Sequence, residues 1–370
     1  MERTYAKYSA FEAEICRRLW WSLVTFDHRI CELSEYKTTT LTPAWDCKMP
    51  LNLHDFEIRP EMKTAPPAHE EPTEALFAVL RYLHADFLRH SAVNLSYANP
   101  CLHMIARPNT GDLTALEQVI EHKYITLCDS ENPLYFMAIW TQRGSLARTR
   151  LLEHYSCLAS SEGQQQQPGA QREEASVSHA LSMLECDAKV LLSPLAHGYA
   201  WFVRLHFPML AYVHVLRYLR GCPSGDTSRR AWRVLGESYG AHAAEPKLAD
   251  AIFVVCSRLI LQAWEAAHGE NSSAEPQQEE VGQPMEVPRI VLDMREKAAQ
   301  LGRAADSTSG GSLGQPTVPL SMDYGCQDIM GFQGRPGSQS GVDFYESPLG
   351  ISCVDTSQFW DVFDWKYFEL

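Results

Sequence analysis

Hydrophobic residues recur along this chain at spacings of three and four, the repeat that places them on one side of an α-helix. The first such segment carries one stripe of an amphipathic helix, the face that such a helix normally buries: Phe11, Ile15, Leu19, Leu23, Phe26 and Ile30. A second stripe consists of Leu76, Leu80, Leu83 and Phe87. A third consists of Leu113, Leu116, Ile120, Tyr124 and Leu127. The pattern therefore predicts three amphipathic helices.

Thr114-Ala115-Leu116-Glu117 fits a capping box, which predicts that the third helix starts there. Apolar periodicity predicts further helices at about 133–157, 174–192, 196–220, 227–241 and 247–268. Alternating Val-rich segments with hairpin turns do not occur, so we expect no sheet. The predicted fold class is all-α, an irregular multi-helix bundle.

Polar, low-complexity stretches interrupt this helical pattern in three places. Residues 160–172 are Gln-rich, residues 269–288 are rich in Glu, Gln, Ser and Pro, and residues 304–340 are rich in Gly and Ser. Such composition cannot bury enough apolar surface to order itself, which predicts disordered inserts, with one short helix at 289–301 between the last two. The predicted organisation is a helical domain over 1–268, a largely disordered linker over 269–345, and an acidic-aromatic segment over 346–370.

Length and charge narrow the class of protein. A chain of 370 residues with 45% hydrophobic residues is long enough for a substantial buried core. The formal net charge of −14 argues against a chain that binds phosphates non-specifically. Residues 270–370 hold 16 acidic and 6 basic residues, a net of −10, which leaves −4 for the first 269. The C-terminal quarter is therefore an acidic extension of a nearly balanced body.

The sequence offers no candidate for catalysis, a cofactor or a metal. None of the eleven cysteines stands at C-x-x-C spacing, and their odd number without a signal peptide indicates reduced thiols. Gly310 to Gly314 matches G-x-S-x-G but lacks the strand and helix that a nucleophile elbow requires. Val190 to Leu219 is the longest apolar stretch, but it contains His and Arg, which predicts core helices and no membrane span.

Two blocks near the start stand out: Arg17-Arg18-Leu19-Trp20-Trp21 with Asp27, and Pro50-Leu51-Asn52 with Asp55. The arginine pair could contact phosphate, but acidic residues flank it and no basic stripe extends it. We therefore favour a structural role, in which a carboxylate from the Asp46–Asp55 connection folds back onto an arginine. Trp20, Trp21 and Trp45 could line a pocket, but aromatics at helical spacing favour a core position.

In this order, and about thirty residues apart, these blocks resemble the middle homology region of fungal zinc-cluster transcription regulators. The resemblance covers about Phe11 to His268 and is sharpest in the first fifty residues. In that family the first block is a helix whose tryptophans pack into an all-helical bundle, and the second is an extended connection. The resemblance thus implies structural roles for Arg17, Arg18, Trp20, Trp21, Asp27, Pro50, Leu51, Asn52 and Asp55.

The zinc cluster of six cysteines does not occur in this sequence, so we expect no direct sequence-specific DNA binding. By resemblance the chain begins part-way through the regulatory domain, which should leave an apolar face open to association with another chain. The resemblance implies nuclear transcriptional control, in a specialised metabolic pathway, through contacts with other transcription regulators or the transcription machinery, as a homo- or hetero-oligomer. No Lys/Arg-rich import signal is visible. Two alternatives remain: a truncated or remnant regulator, and an all-α protein or enzyme of a biosynthetic pathway.

The C-terminus alternates bulky aromatics with acids behind the predicted linker. Phe359, Trp360, Phe363 and Trp365 carry the pattern. Acidic neighbours keep such aromatics solvated and available to a hydrophobic groove on a partner, as in activation segments. The alternative is that the same residues dock back onto the helical body, and the sequence favours neither.

Overall fold

The computed structural model describes residues 7–33, 45–90, 113–160, 169–268 and 286–308. Across these ranges the chain is helical and forms no strand, which confirms the predicted all-α class. Its α-helices, in chain order, are α1 (Ala10–Leu33), α2 (Leu76–His90), α3 (Leu113–Val119), α4 (Pro133–Ser160), α5 (Gly169–Leu192), α6 (Ala200–Leu205), α7 (Met209–Gly221), α8 (Asp226–His242), α9 (Pro246–His268) and α10 (Arg289–Thr308).

The segment predicted as one helix over 196–220 is divided into three pieces, so that prediction was wrong. A 3-10 helix over Pro194–Tyr199 leads into α6, and α7 follows after a break at Pro208. Proline lacks the N–H that a continuous helix would need at this point, and it disfavours helical backbone at the residue before it. Its carbonyl is instead used to start α7, accepting from the N–H groups of Ala211 (3.0 Å) and Tyr212 (3.2 Å).

The third predicted helix starts differently from the expected capping box. Thr114 lies inside α3, and its Oγ1 accepts a hydrogen bond from Arg150 Nη2 at 2.9 Å. Glu117 pairs with the same guanidinium at 2.7 Å. These two residues therefore attach α3 to α4. After α3 the chain continues as a π-helix over Ile120–Tyr124 and a 3-10 helix over Ile125–Leu127.

The main core lies where α5 packs along α4 and against α7 and α8, and where α9 packs against α7. Its largest fully buried side chains come from α7 and α8, including Tyr212, Trp232 and Tyr239. Trp232 meets Trp264 of α9 edge-to-face, with ring centroids 5.3 Å apart. This arrangement is favourable for aromatic pairs beyond the area that they bury.

Helix α10, which the sequence predicted as a short helix at 289–301 within a largely disordered linker, belongs to the main core. Ile290, Val291 and Met294 are fully buried against α8 and α9, and Lys297 Nζ pairs with Asp250 of α9 at 2.7 Å. The helix reaches Thr308, seven residues beyond its predicted end. Likewise α5 begins at Gly169, inside the predicted polar insert. Residues 161–168, 269–285 and 309–370 lie outside the described part of the chain.

A second region surrounds the first half of α4. Leu76 and Leu80 of α2 share a core cluster with Leu113 of α3 and Ile139 of α4. Next to it, Trp21 and Val24 of α1 pack with the connection and with α2 in another cluster. This region positions the residues that the two motif blocks contribute.

The side of helix α1 that packs against the rest of the protein lies opposite its leucine stripe. Ile15, Leu19, Leu23 and Phe26 are 43%, 61%, 47% and 55% exposed, whereas Trp21 and Val24 are buried. At about 100° per residue, Leu19 lies on the far side of the helix from Trp21. The stripe is therefore largely exposed, because α1 has two apolar faces and the tryptophan face packs against α2 and the connection.

Candidate functional site

The two motif blocks come together at one place, which we call the motif junction: residues 14–21 of α1, the connection 45–55, and the residues that hold them. Glu14 is at its centre. Its carboxylate is fully buried, and Oε1 accepts from the backbone N–H of Leu51 at 3.1 Å. Burial raises the pKa of Glu14, opposed by the Leu51 N–H and by the nearby arginines.

Both arginines of the first block point at this carboxylate. Arg18 Nε lies 3.3 Å from Glu14 Oε1, and Arg17 Nη1 lies 3.7 Å from Glu14 Oε2. Arg18 Nη1 also reaches Asp55 Oδ1 at 3.4 Å, so a carboxylate of the connection folds back onto the helix. Both guanidinium groups therefore face carboxylates of the protein itself.

The tryptophans link α1 to the connection. The indole N–H of Trp21 donates to the Lys48 carbonyl at 2.9 Å, and its ring is buried. Trp45 meets the rings of Trp20 and Trp21 edge-to-face at centroid distances of 5.6 and 6.1 Å. Tyr82 of α2 lies against Trp21 as well, at 6.2 Å. The three tryptophans thus form a packed cluster that joins two segments distant in sequence.

Asn52 fixes the other end of the connection. Its buried amide Nδ2 donates to the carbonyls of His69 (3.0 Å) and Glu71 (2.8 Å), and its Oδ1 accepts from Thr73 Oγ1 at 2.6 Å. The Asn52 carbonyl in turn accepts from the His69 N–H at 2.9 Å. One side chain therefore closes the whole loop that leads into α2.

The structure places most motif residues at this junction. Pro50 is buried beside Leu51, whereas Asp27 lies further along α1 and is half-buried. Glu14 was not predicted as the ion-pair partner, although a glutamate four residues before an arginine on a helix is a recognisable signal. Thr73 and Tyr82 carried no such signal, because their contacts depend on the fold. Phe359, Trp360, Phe363 and Trp365 lie outside the described residues.

The ranges that the structure describes contain neither a metal-binding cluster nor a membrane-spanning helix. No group of three or more His, Cys, Asp or Glu residues there has the proximity to hold a metal ion. Six of the cysteines in these ranges are free thiols: Cys16, Cys47, Cys128, Cys186, Cys222 and Cys256. No described helix combines the length and the apolar content that a bilayer crossing requires.

The chain that forms this all-helical body and the motif junction is similar in sequence to transcription regulators. It is 43% identical to the transcriptional regulator AacuB of Aspergillus aculeatus over 342 residues, which cover 89% of this chain and 46% of that protein. It is 40% identical to the transcriptional regulator nsrM of Aspergillus novofumigatus, over 99% of this chain and 51% of that protein. At 22% identity it is similar to the aurofusarin cluster transcription factor aurR2 of Gibberella zeae, over 84% of this chain and 46% of that protein.

These similarities support a fungal transcription-factor family for the chain. The chain spans about half the length of the curated relatives it matches. No protein-family model matches it. No solved structure matches it.

Proposed function

We propose that this chain acts in the nucleus as a non-enzymatic regulator of transcription, within the zinc-cluster regulator family, and controls a specialised-metabolite gene cluster. The observation that carries the proposal is the identity of 40% and 43% to two transcriptional regulators over most of the chain. Two more distant relatives are named as transcription factors of biosynthesis clusters, one for aurofusarin and one for pyriculol and pyriculariol. These names supply the metabolic part of the proposal.

The proposed mechanism operates through protein contacts. The motif junction supports this, because Arg17 and Arg18 are paired with Glu14 and the chain as a whole carries a net charge of −14. Both properties oppose direct phosphate binding by these residues. The exposed leucine stripe of α1 has the apolar character of a surface that contacts another protein. The partner proposed here is a DNA-binding transcription regulator of the same host.

The experiment is chromatin occupancy of the tagged 370-residue chain in its native fungus, together with co-purification after nuclease treatment of the lysate. We expect discrete promoter occupancy and a nuclease-resistant complex with a zinc-cluster regulator. Deleting the gene should change transcript levels of one set of neighbouring biosynthetic genes. Leu19→Gln with Leu23→Gln, two exposed positions, should weaken co-purification while the protein still folds. Arg303→Gln, an exposed position on α10, is the matched surface control.

Three outcomes separate the proposal from its alternatives. Absence from the nucleus and from promoters, with unchanged transcripts on deletion, would indicate a remnant. Unchanged transcripts together with loss of one metabolite would indicate a pathway protein or enzyme. Promoter occupancy by the purified chain alone on naked DNA would contradict the mechanism through protein contacts.

A further inference from the structure

A cavity of about 610 Å³ lies between α1, α2, the start of α4 and the segment that runs from the 3-10 helix into α6. This volume is within the range of sites that hold small organic molecules. Five aromatic side chains line it: Phe26, Phe77, Tyr199, Trp201 and Phe202. Such walls favour a flat, aromatic ligand, because ring faces and edges pack well against one another.

Among the described residues, the polar groups that line the cavity are cationic or neutral. Its described lining contains Arg29, Arg81 and His206 and no acidic residue. Arg29 is held by the α6 carbonyl of Leu205, to which its Nε donates at 3.1 Å. His206 directs Nδ1 to the Phe202 carbonyl at 2.9 Å. Arg81 is therefore the group with the most freedom to bind a ligand.

Arg81 is partly buried, and its guanidinium lies 4.9 Å from the ring centroid of Phe202 and 5.8 Å from that of Phe77. Among the described residues it forms no ion pair with a carboxylate. This burial removes water from around the guanidinium and lowers its pKa. Arginine nevertheless stays protonated in proteins, so the cation remains in place. A partly desolvated cation without an anionic partner is stabilised by an anion that enters the cavity.

We propose that this cavity binds an aromatic small molecule with one acidic group, a carboxylate or an ionised phenol, and that Arg81 pairs with that group. The rings of the ligand pack against the aromatic walls, and its anion accepts hydrogen bonds from the guanidinium. This inference concerns binding by the isolated protein and does not depend on the proposed role in transcription. A failure of either leaves the other intact.

The test is isothermal titration calorimetry of the purified full chain with 2-naphthoate and with its neutral analogue 2-naphthamide, at pH 7.4. The two probes have nearly the same shape and differ in charge. We expect the acid to bind at least about tenfold more tightly than the amide, the effect of one hydrogen bond to a charged group. Equal affinities, or no saturable binding of the acid at about 1 mM, would overturn the proposal.

Variants locate the site. Arg81→Met should lower the affinity for the acid at least about tenfold and leave the amide unchanged, whereas Arg81→Lys should retain part of the preference. Arg220→Met, at an exposed arginine at the end of α7, is the matched control and should bind both probes as the wild type does. Thr25→Phe, on the α1 wall, should weaken both probes by filling the cavity.

Circular dichroism checks that each variant folds. Wild-type affinity for the acid in Arg81→Met would refute the assignment of the counter-ion. Wild-type affinity for both probes in Thr25→Phe would refute the location. If Arg81→Met does not fold, the comparison of acid and amide on the wild-type protein still decides the proposal.

Discussion

Asn52→Ala is the substitution that tests the motif junction most directly. It removes three hydrogen bonds at a buried position, two donated to the His69 and Glu71 carbonyls and one accepted from Thr73. At about 1 kcal/mol net for each bond, the loss is about 3 kcal/mol, and more if the former partners stay buried without replacements. Because these bonds close the loop from 52 to 73, the loss should appear as local opening of the connection.

The assay is native-state hydrogen exchange by mass spectrometry, followed in peptides from residues 45–75. A loss of about 3 kcal/mol corresponds to exchange roughly 100-fold faster in this segment, if opening limits exchange there. Glu61→Ala, at an exposed position in the same loop, is the control and should change exchange by less than about threefold. If Asn52→Ala exchanges within about threefold of wild type, Asn52 does not hold the connection and the argument from its hydrogen bonds is refuted.

Three further predictions test other parts of the fold. Leu19→Gln should lower the free energy of unfolding by less than about 0.5 kcal/mol, because this leucine is exposed. Leu53→Ala, at a fully buried position, should lower it by about 2 to 5 kcal/mol. Equal shifts of the urea midpoint in the two variants would show that the placement of α1 is wrong. His214 is buried, which lowers its pKa to about 4, so the folded state favours the neutral ring. The stability that comes from keeping this ring neutral is complete above the unfolded pKa of about 6.5 and is lost as pH falls toward 4. Between pH 7 and 4.5 the free energy of unfolding of the wild type should therefore fall by about 2 kcal/mol more than that of His214→Gln. An equal fall for both proteins in urea unfolding would contradict this prediction. At Gly144 a Cβ would lie 3.4 Å from Cys186 Cβ, so Gly144→Ala should keep or raise the melting temperature. Gly144→Leu should instead lower the free energy of unfolding by about 1 to 3 kcal/mol. An unchanged melting temperature for the leucine variant would show that α4 and α5 are further apart.

Two helices in the second half of the chain, α8 and α9, followed closely from the sequence. The predicted ranges 227–241 and 247–268 correspond to α8 and α9 within one residue at each end. These helices have polar or Pro-containing boundaries and a repeat of apolar residues, so local signals coincide with the packed structure. The failure at 196–220 came from giving apolar periodicity more weight than Pro208, although proline is the stronger local signal.

The motif junction was only partly predictable. A structural role for the arginine pair follows from flanking acids and from the absence of a basic stripe. The sequence does not indicate which carboxylate is buried beneath the arginines, because Glu12 and Glu14 are the same residue type at neighbouring positions. Only the packing of Trp21 against the connection places Glu14 inside, next to the Leu51 N–H.

The sequence by itself determined the helical class, most helix positions and the two motif blocks, because these depend on residues close together in the chain. The tertiary structure decided which of the two apolar faces of α1 is buried, how α10 joins the core, and that Arg81 lies in a cavity whose described lining is rich in aromatic side chains and contains no acidic residue. Periodicity shows that a face is apolar, but burial depends on which distant segment packs against it. That choice is made by the competition among all the helices for a shared core, which no local stretch of sequence contains.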